Sequence, residues 1–202
     1  MAAILAFLPF IVFAVLDRLV GSTVALAAGA ATAIVMVVHG SLLHGRSLKV
    51  LEAGTIVLFG GLALWEILGG TTWSMLEVRL RVDAGLMLVV LLSIALKKPF
   101  TLQYARESRP KAQWSDPAFV RSNYVITSVW AAAFLIMVIA DLVLIYRPDV
   151  PVRWGIIATI CAILLAVKFT ALYPKWVRRQ AEKAAAAAAG AVPAEAGSRK
   201  AG

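Results

Sequence analysis

The stretch YVITSVWAAAFLIMVIADLVLIY, residues 124–146, decides the fold class of this chain. It runs for 23 residues with Asp141 as its single acidic residue and without a basic one. An α-helix needs about 20 predominantly apolar residues to cross the hydrocarbon core of a bilayer. The stretch therefore predicts a transmembrane helix.

Similar apolar runs recur along the chain. The other five predicted spans are 2–20, 22–39, 50–68, 79–97 and 154–173. The chain has 202 residues, 61% hydrophobic and 15% charged, whereas a soluble domain is about half apolar and a quarter charged. Six spans of about 20 residues would use roughly 120 positions, which leaves no room for a separate soluble domain. We expect an all-α polytopic membrane protein, a bundle of about six transmembrane helices.

The chain divides into three parts. Residues 1–176 form the transmembrane domain, and the long loop 98–123 within it is basic, aromatic and expected to carry a short interfacial helix. Within the loop, Asp116 followed by Pro117 predicts the start of a helix that leads into the fifth span. Residues 177–202 form an Ala-rich cytoplasmic tail, expected to begin as a helical extension and to end disordered.

The distribution of basic residues predicts the orientation. With six crossings, 15 of the 20 Lys and Arg residues lie on the side that holds both termini. Positive residues concentrate on the cytoplasmic side of membrane proteins, so both termini are expected in the cytoplasm. The same loops facing anionic lipid explain the net charge of +9, and nucleic acid is not an expected partner.

Charged residues inside or beside the spans are the first candidates for function. Three acids fall toward the outer ends of the first, fourth and fifth spans, and two arginines accompany them. These residues are Asp17, Arg18, Arg79, Asp83 and Asp141. We expect them to form one polar cluster, which either lines a solute or proton path or fixes the register of the helices through satisfied pairs.

The long loop suggests a second candidate surface. Its cations and one tryptophan either anchor the loop to lipid headgroups or dock a partner protein. The residues are Lys97, Lys98, Arg106, Arg109, Lys111 and Trp114.

Small residues predict close contacts between helices. Gly29 in the second span and the Gly60-Gly61 pair in the third allow two backbones to approach. The same small-residue faces permit a homodimer.

No motif predicts a cofactor, a metal site or catalysis. His39 and His44 are five residues apart, which does not align two ligands on one helical face, and no further histidine exists. Cys161 is the only cysteine, so the chain cannot form an internal disulfide. Phosphate-binding loops, zinc-protease motifs and nucleophile elbows do not occur. We expect no enzymatic activity.

Four short motifs occur in an order that resembles a known family. They are Phe7-Leu8-Pro9-Phe10, Phe59-Gly60-Gly61-Leu62, Lys97-Lys98-Pro99-Phe100 and Asn123 followed by Trp130-Ala131. Over roughly residues 7–173 the chain is similar to the bacterial intracellular septation protein A family, inner membrane-spanning proteins of the cell envelope.

The resemblance implies a bacterial inner-membrane protein that supports septation and envelope maintenance. It implies contacts with division and cell-wall elongation proteins, and no catalytic residues. The alternative from the residues themselves is a small-solute or proton-linked transporter or channel that uses the outer carboxylates.

Overall fold

The computed structural model describes residues 7–45, 47–71 and 73–190, and this part of the chain is all-α without a strand. Its seven helices are α1 (Leu8–Val20), α2 (Ser22–His44), α3 (Val50–Gly69), α4 (Met75–Ala95), α5 (Phe100–Glu107), α6 (Pro117–Tyr146) and α7 (Val152–Gly190). A 3₁₀ turn, Lys111–Gln113, separates α5 from α6.

Four helices are long and apolar enough to cross a membrane. These segments are Ser22–Gly40, Val50–Gly69, Pro117–Tyr146 and Val152–Ala187. Within the described residues α1 has 13 residues, which is short for a span, and residues 2–6 of the predicted first span lie outside the description. The fourth predicted span falls on α4, whose first half carries four charged residues, Glu77, Arg79, Arg81 and Asp83. The length and composition of the helices thus support four of the six predicted spans.

The outward faces of the helices are apolar. Leu68 in α3 is 81% exposed, and Leu165 in α7 is 66% exposed. A soluble monomer rarely exposes apolar surface of this extent, because water penalises it, whereas lipid does not. The surface is therefore that of a membrane protein.

Consecutive helices pack against each other in a simple order. Gly21, with φ of 92°, makes the tight turn that folds α1 back onto α2. Helix α2 packs on α3, α3 on α4, α4 on α6, and α6 on α7, while α5 lies against α6. Short connections make sequential neighbours antiparallel. The C-terminal end of α4, the start of α6 and the far part of α7 therefore lie at one end of the bundle.

Local signals fix the ends of α4 and α6. Lys97 takes a left-handed φ of 56°, and the Lys98 amide donates to the Ser93 carbonyl at 2.9 Å, which closes α4. At the start of α6, the Asp116 carboxylate accepts a hydrogen bond from the Ala118 amide at 3.0 Å, and Pro117 occupies the first turn. The predicted start of this helix is confirmed.

The larger core surrounds Trp130 of α6. Its ring stacks on Phe7 with 5.0 Å between centroids, and its Nε1 donates to Thr170 Oγ1 of α7 at 3.0 Å. Phe100 of α5 meets the same ring edge-on at 6.3 Å. The short loop helix α5 therefore packs into the core of the bundle.

Of the three predicted packing glycines, Gly29 packs closely against a neighbouring helix, whereas Gly60 and Gly61 do not. Gly29 lies against Phe59, where an added Cβ would come within 3.1 Å of the ring. An added Cβ at Gly60 or Gly61 would meet no atom within 4 Å, so neither packs closely against another helix among the described residues. Gly61 is exposed on α3, and Gly60 is half-buried. Closer approaches occur at Gly54, Gly85 and Gly155, where an added Cβ would overlap the side chains of Val89, Leu58 and Leu144 in turn.

Helix α7 continues far beyond its apolar part. The predicted helical extension after residue 176 is present and reaches Gly190, with Pro174 inside the helix. Residues 191–202, where a disordered end was expected, lie outside the described residues.

Candidate functional site

Two charged residues of α4 face a fully buried acid of α6. Arg79 and Asp83 are four residues apart and share one face of α4. Arg79 Nε lies 3.1 Å from Asp141 Oδ1 and 3.9 Å from Asp83 Oδ2. Asp141 is 0% exposed and Asp83 is 6% exposed. The Arg79 guanidinium also donates from Nη2 to Thr159 Oγ1 of α7. We call these four residues the Arg79 cluster.

The Arg79 cluster leaves acidic oxygens without hydrogen bonds. The 3.1 Å contact of Arg79 with Asp141 brings opposite charges together but lacks hydrogen-bond geometry. Both carboxylate oxygens of Asp141 and Oδ2 of Asp83 are buried and accept no hydrogen bond. Buried polar atoms are nearly always hydrogen-bonded, because losing water without a replacement is costly. Three of the five such atoms among the described residues belong to this cluster, which makes it the candidate site.

The packing of α6 on α7 brings the third helix to the cluster. Gly155 lies one turn before Thr159 on α7, and its missing side chain leaves room for Leu144 of α6. Thr159 thereby comes close enough to accept the hydrogen bond of Arg79. Thr159 is a site residue that no sequence motif singled out, since an isolated threonine in an apolar run carries no signal.

Asp17 and Arg18 do not join the Arg79 cluster. Asp17 interacts with Glu66 of α3, and Ser22 Oγ donates a hydrogen bond to Glu66 Oε1. Arg18 is exposed. The single cluster expected from five residues is therefore two separate groups, because α1 packs on α2 while α4 packs on α6. Glu66 itself is 5% exposed, and its Oε2 accepts no hydrogen bond.

At the opposite end of α4, a buried lysine holds three segments together. Lys49 Nζ lies 3.1 Å from Glu52 Oε1 and 2.9 Å from Glu107 Oε1, and 4.7 Å from the centre of the Tyr104 ring. The Tyr104 hydroxyl donates to Glu52 Oε1 at 3.3 Å. Burial and the Glu52 carboxylate raise the pKa of Tyr104 above its ordinary value of 10.0. We call Lys49, Glu52, Tyr104 and Glu107 the Lys49 cluster.

The Lys49 cluster borders a small cavity and was not predicted from the sequence. The cavity measures about 170 Å³, and its lining consists of Ser47, Lys49, Gln103, Arg106, Glu107 and Trp114. In the sequence Lys49 looks like any loop cation before a span. The signal that would have found it is Glu52 three residues later, since its carboxylate accepts from the Lys49 amide at 3.2 Å and begins α3.

Some of the loop cations are packed against aromatic residues of the loop, and the others are exposed at the surface. Trp114 Nε1 donates to the carbonyls of Arg106 and Arg109 at 3.1 and 3.0 Å, and the Arg106 guanidinium lies 5.7 Å from the Trp114 ring centre. Arg109 stacks over Phe119 at 5.0 Å. These three residues fold the loop upon itself. Lys97, Lys98 and Lys111 are exposed at the surface.

The residues considered for metals and cofactors lie apart. Among residues 7–45, 47–71 and 73–190, no group of three His, Cys, Asp or Glu side chains is arranged to hold a metal ion. His39 is exposed on α2, and the side chain of His44 lies outside the description. Cys161 is a free, exposed thiol on α7.

Comparison of the chain with protein-family models, curated proteins and solved structures gives no match. The resemblance to the septation protein A family stays an expectation. The function is therefore inferred from the side chains described above.

Proposed function

We propose that the chain is an integral membrane protein with six spans, in which α1 and α4 join the four apolar helices. Helix α4 has 21 residues, and at 1.5 Å per residue it spans about 32 Å, the thickness of a hydrocarbon core. Its Arg79 and Asp83 are partnered inside the bundle, which supports a position within the membrane. The sequence before α1 is apolar, which supports the predicted span 2–20.

The proposed location is the inner (cytoplasmic) membrane of a bacterium, with both termini in the cytoplasm. Support comes from the exposed cations at one end of the bundle, where α4 ends, α6 begins and α7 extends. They are Lys97, Lys98, Lys111, Arg121, Lys175, Arg178, Arg179 and Lys183. Such a concentration is typical of the cytoplasmic face.

The proposed role is non-catalytic: the protein supports cell-envelope maintenance and cell division through contacts with division and cell-wall elongation proteins. One observation carries this proposal. The inward-facing charges are divided between separate groups inside the bundle, while most of the exposed cations lie at the end that holds α5. A contact surface needs accessible groups on a rigid support, and the packing of Phe100 and Tyr104 supplies that support.

The transport alternative draws less support from the geometry. A path for a solute or proton along the outer carboxylates would bring Asp17, Asp83 and Asp141 together. Asp17 instead interacts with Glu66, on the side of α3. The separation of Asp17 from Asp83 and Asp141 favours the contact role. A homodimer through the Gly60-Gly61 face of α3, where an added Cβ would meet no atom within 4 Å, is compatible with that role.

Labelling of single cysteines tests the six spans. In a Cys161→Ala background, cysteines replace Ser74, Asp149, Ser108 or Ser115 in turn, and intact cells are treated with a membrane-impermeant maleimide. We expect labelling at 74 and 149 from outside, and labelling at 108 and 115 only after lysis. Labelling of 74 and 108 from the same side would show that α4 does not cross.

Crosslinking in growing bacteria tests the contact role. Lys97, Lys98 and Lys111 are changed together to glutamine, and the control changes Arg147 and Arg153, exposed cations at the opposite end. We expect the wild type and the control to capture division or cell-wall elongation proteins, and the triple variant to lose most of that capture. Equal capture by an unrelated multi-span protein would refute the contact role.

A further inference from the structure

The Arg79 cluster contains more negative than positive charge. Two carboxylates, Asp83 and Asp141, share one guanidinium, so the cluster has one net negative charge when both acids are ionised. An uncompensated charge is very unfavourable where water is excluded. Asp141 is 0% exposed, so water does not solvate its carboxylate.

The groups around the two acids do not supply the missing positive charge. Helix α4 contributes Arg79, which is the cation that faces both acids among the described residues. Helix α7 contributes the uncharged hydroxyl of Thr159, and this hydroxyl is engaged by the guanidinium. Three carboxylate oxygens therefore remain buried and without a hydrogen bond. The two acids also interact with each other across the α4–α6 contact.

We propose that Asp83 and Asp141 bind one monovalent cation, either a proton or a sodium ion, which neutralises the Arg79 cluster. A proton would sit between the two carboxyl groups and turn one of them into a hydrogen-bond donor. A sodium ion would take oxygens of both carboxylates, since hard cations prefer oxygen ligands. Both ions supply the same single positive charge. The site needs no protein partner and is independent of the proposed contact role.

The first arm of the test detects the proton. Wild type, Asp141→Asn and the matched control Asp149→Asn are purified in lipid nanodiscs in sodium-free buffer near pH 7. Asp149 is exposed in the α6–α7 loop and pairs with Arg147. If the ion is a proton, infrared spectroscopy shows the C=O stretch of about one protonated carboxyl group per chain. The band is lost in Asp141→Asn and kept in Asp149→Asn.

The second arm detects sodium. Choline is replaced by sodium at constant ionic strength, and the midpoint of thermal unfolding is recorded. A ligand that binds the folded state raises this midpoint as its concentration increases. If the ion is sodium, the midpoint rises in the wild type and in Asp149→Asn, and does not move in Asp141→Asn.

The two arms together decide the proposal. The carboxyl band supports it with a proton as the ion, and the sodium-dependent midpoint supports it with sodium. Absence of both in the wild type overturns it, and so does a band or shift that persists in both Asp141→Asn and Asp83→Asn. If Asp141→Asn does not fold, Asp83→Asn replaces it. None of these outcomes bears on crosslinking to division proteins.

Discussion

The Arg79 cluster and the Lys49 cluster have the same ratio of charges but different surroundings. Each places one cation between two carboxylates, at distances of 3.1 and 3.9 Å for Arg79 and 3.1 and 2.9 Å for Lys49. The side chains of Glu52 and Glu107 are 23% and 28% exposed, whereas that of Asp141 is 0% exposed.

The difference lies in how the second negative charge is stabilised. In the Lys49 cluster, the Tyr104 hydroxyl and the Lys49 amide donate to Glu52, and water reaches both glutamates. In the Arg79 cluster, the acids have no comparable donors. A surplus charge is tolerated where hydrogen-bond donors and water are available, and elsewhere it needs a counter-ion. Of the two clusters, the Arg79 cluster is therefore the one in which neither hydrogen-bond donors nor water stabilise the second negative charge.

The largest expected effect comes from removing the cation of the Arg79 cluster. Arg79→Gln leaves two buried carboxylates without a guanidinium and is expected to lower the free energy of unfolding by about 3–5 kcal/mol. Denaturant titration in mixed micelles measures it. The matched control is Arg81→Gln, whose guanidinium lies 4.3 Å from the Trp73 ring centre and outside the cluster. Equal losses in the two variants would contradict the assignment.

Removal of the cation of the Lys49 cluster should cost less. Lys49→Met frees two glutamates that water already reaches, so we expect a loss of about 1.5–3 kcal/mol in the same titration. The exposed Lys98→Met is the control, with a change near zero. A loss as large as that of Arg79→Gln would show that the glutamates are not solvated, and the comparison between the clusters would fail.

Gly155 tests whether the close contact of α6 and α7 supports the Arg79 cluster. A methyl group at Gly155 would overlap Leu144, so Gly155→Ala is expected to destabilise the protein by about 1–3 kcal/mol. Gly60→Ala meets no atom within 4 Å and should be neutral or stabilising by up to about 1 kcal/mol. If Gly60→Ala destabilised the protein more than Gly155→Ala, the contact of Gly155 with Leu144 would not be what holds α7 against α6.

The smallest effect is a pH dependence in the Lys49 cluster. The unfolded chain releases the Tyr104 proton near pH 10, and the folded protein keeps it to higher pH, because burial and Glu52 raise the pKa of Tyr104. The stability from this group is complete below pH 10 and is lost as the pH rises further.

Tyr104→Phe should therefore cost about 1 kcal/mol at pH 8 and lose stability less steeply than the wild type between pH 10 and 11. The exposed Tyr146→Phe serves as the control for general alkaline effects. If the free energy of unfolding fell equally steeply with pH in the wild type and in Tyr104→Phe, the pKa of Tyr104 would not be raised in the folded protein.

The sequence predicts the elements better than their partners. Apolar runs predict the helices, and Asp116-Pro117 predicts the start of α6, because these signals are local in the chain. The meeting of Arg79 with Asp83 follows from their spacing on one helix, and the outer positions of Asp83 and Asp141 make their proximity predictable. Asp17 also lies toward the outer end of its span, but it lies against a different helix. The position of a residue along its span does not tell which helices are neighbours.

The residues missed by sequence reasoning depend on tertiary packing. Lys49 is buried because α5 folds back over the start of α3; Glu52 three residues later predicts the cap of α3, but the contacts with Tyr104 and Glu107 depend on tertiary packing. Gly60 and Gly61 look like packing glycines, while Gly155, next to Trp154 at the start of a span, makes the closer contact. Which glycine another helix approaches depends on the crossing point of two helices, and that point is not encoded locally.

A double-mutant cycle of Arg79→Gln and Asp141→Asn tests the central claim most directly: that one guanidinium balances two buried acids. We predict that Asp141→Asn costs little alone, and that adding it to Arg79→Gln recovers a large part of the lost free energy of unfolding, because it removes a stranded charge. If the loss of free energy of unfolding in the double variant equalled the sum of the losses in the two single variants, Arg79 and Asp141 would not be coupled, and the account would be contradicted.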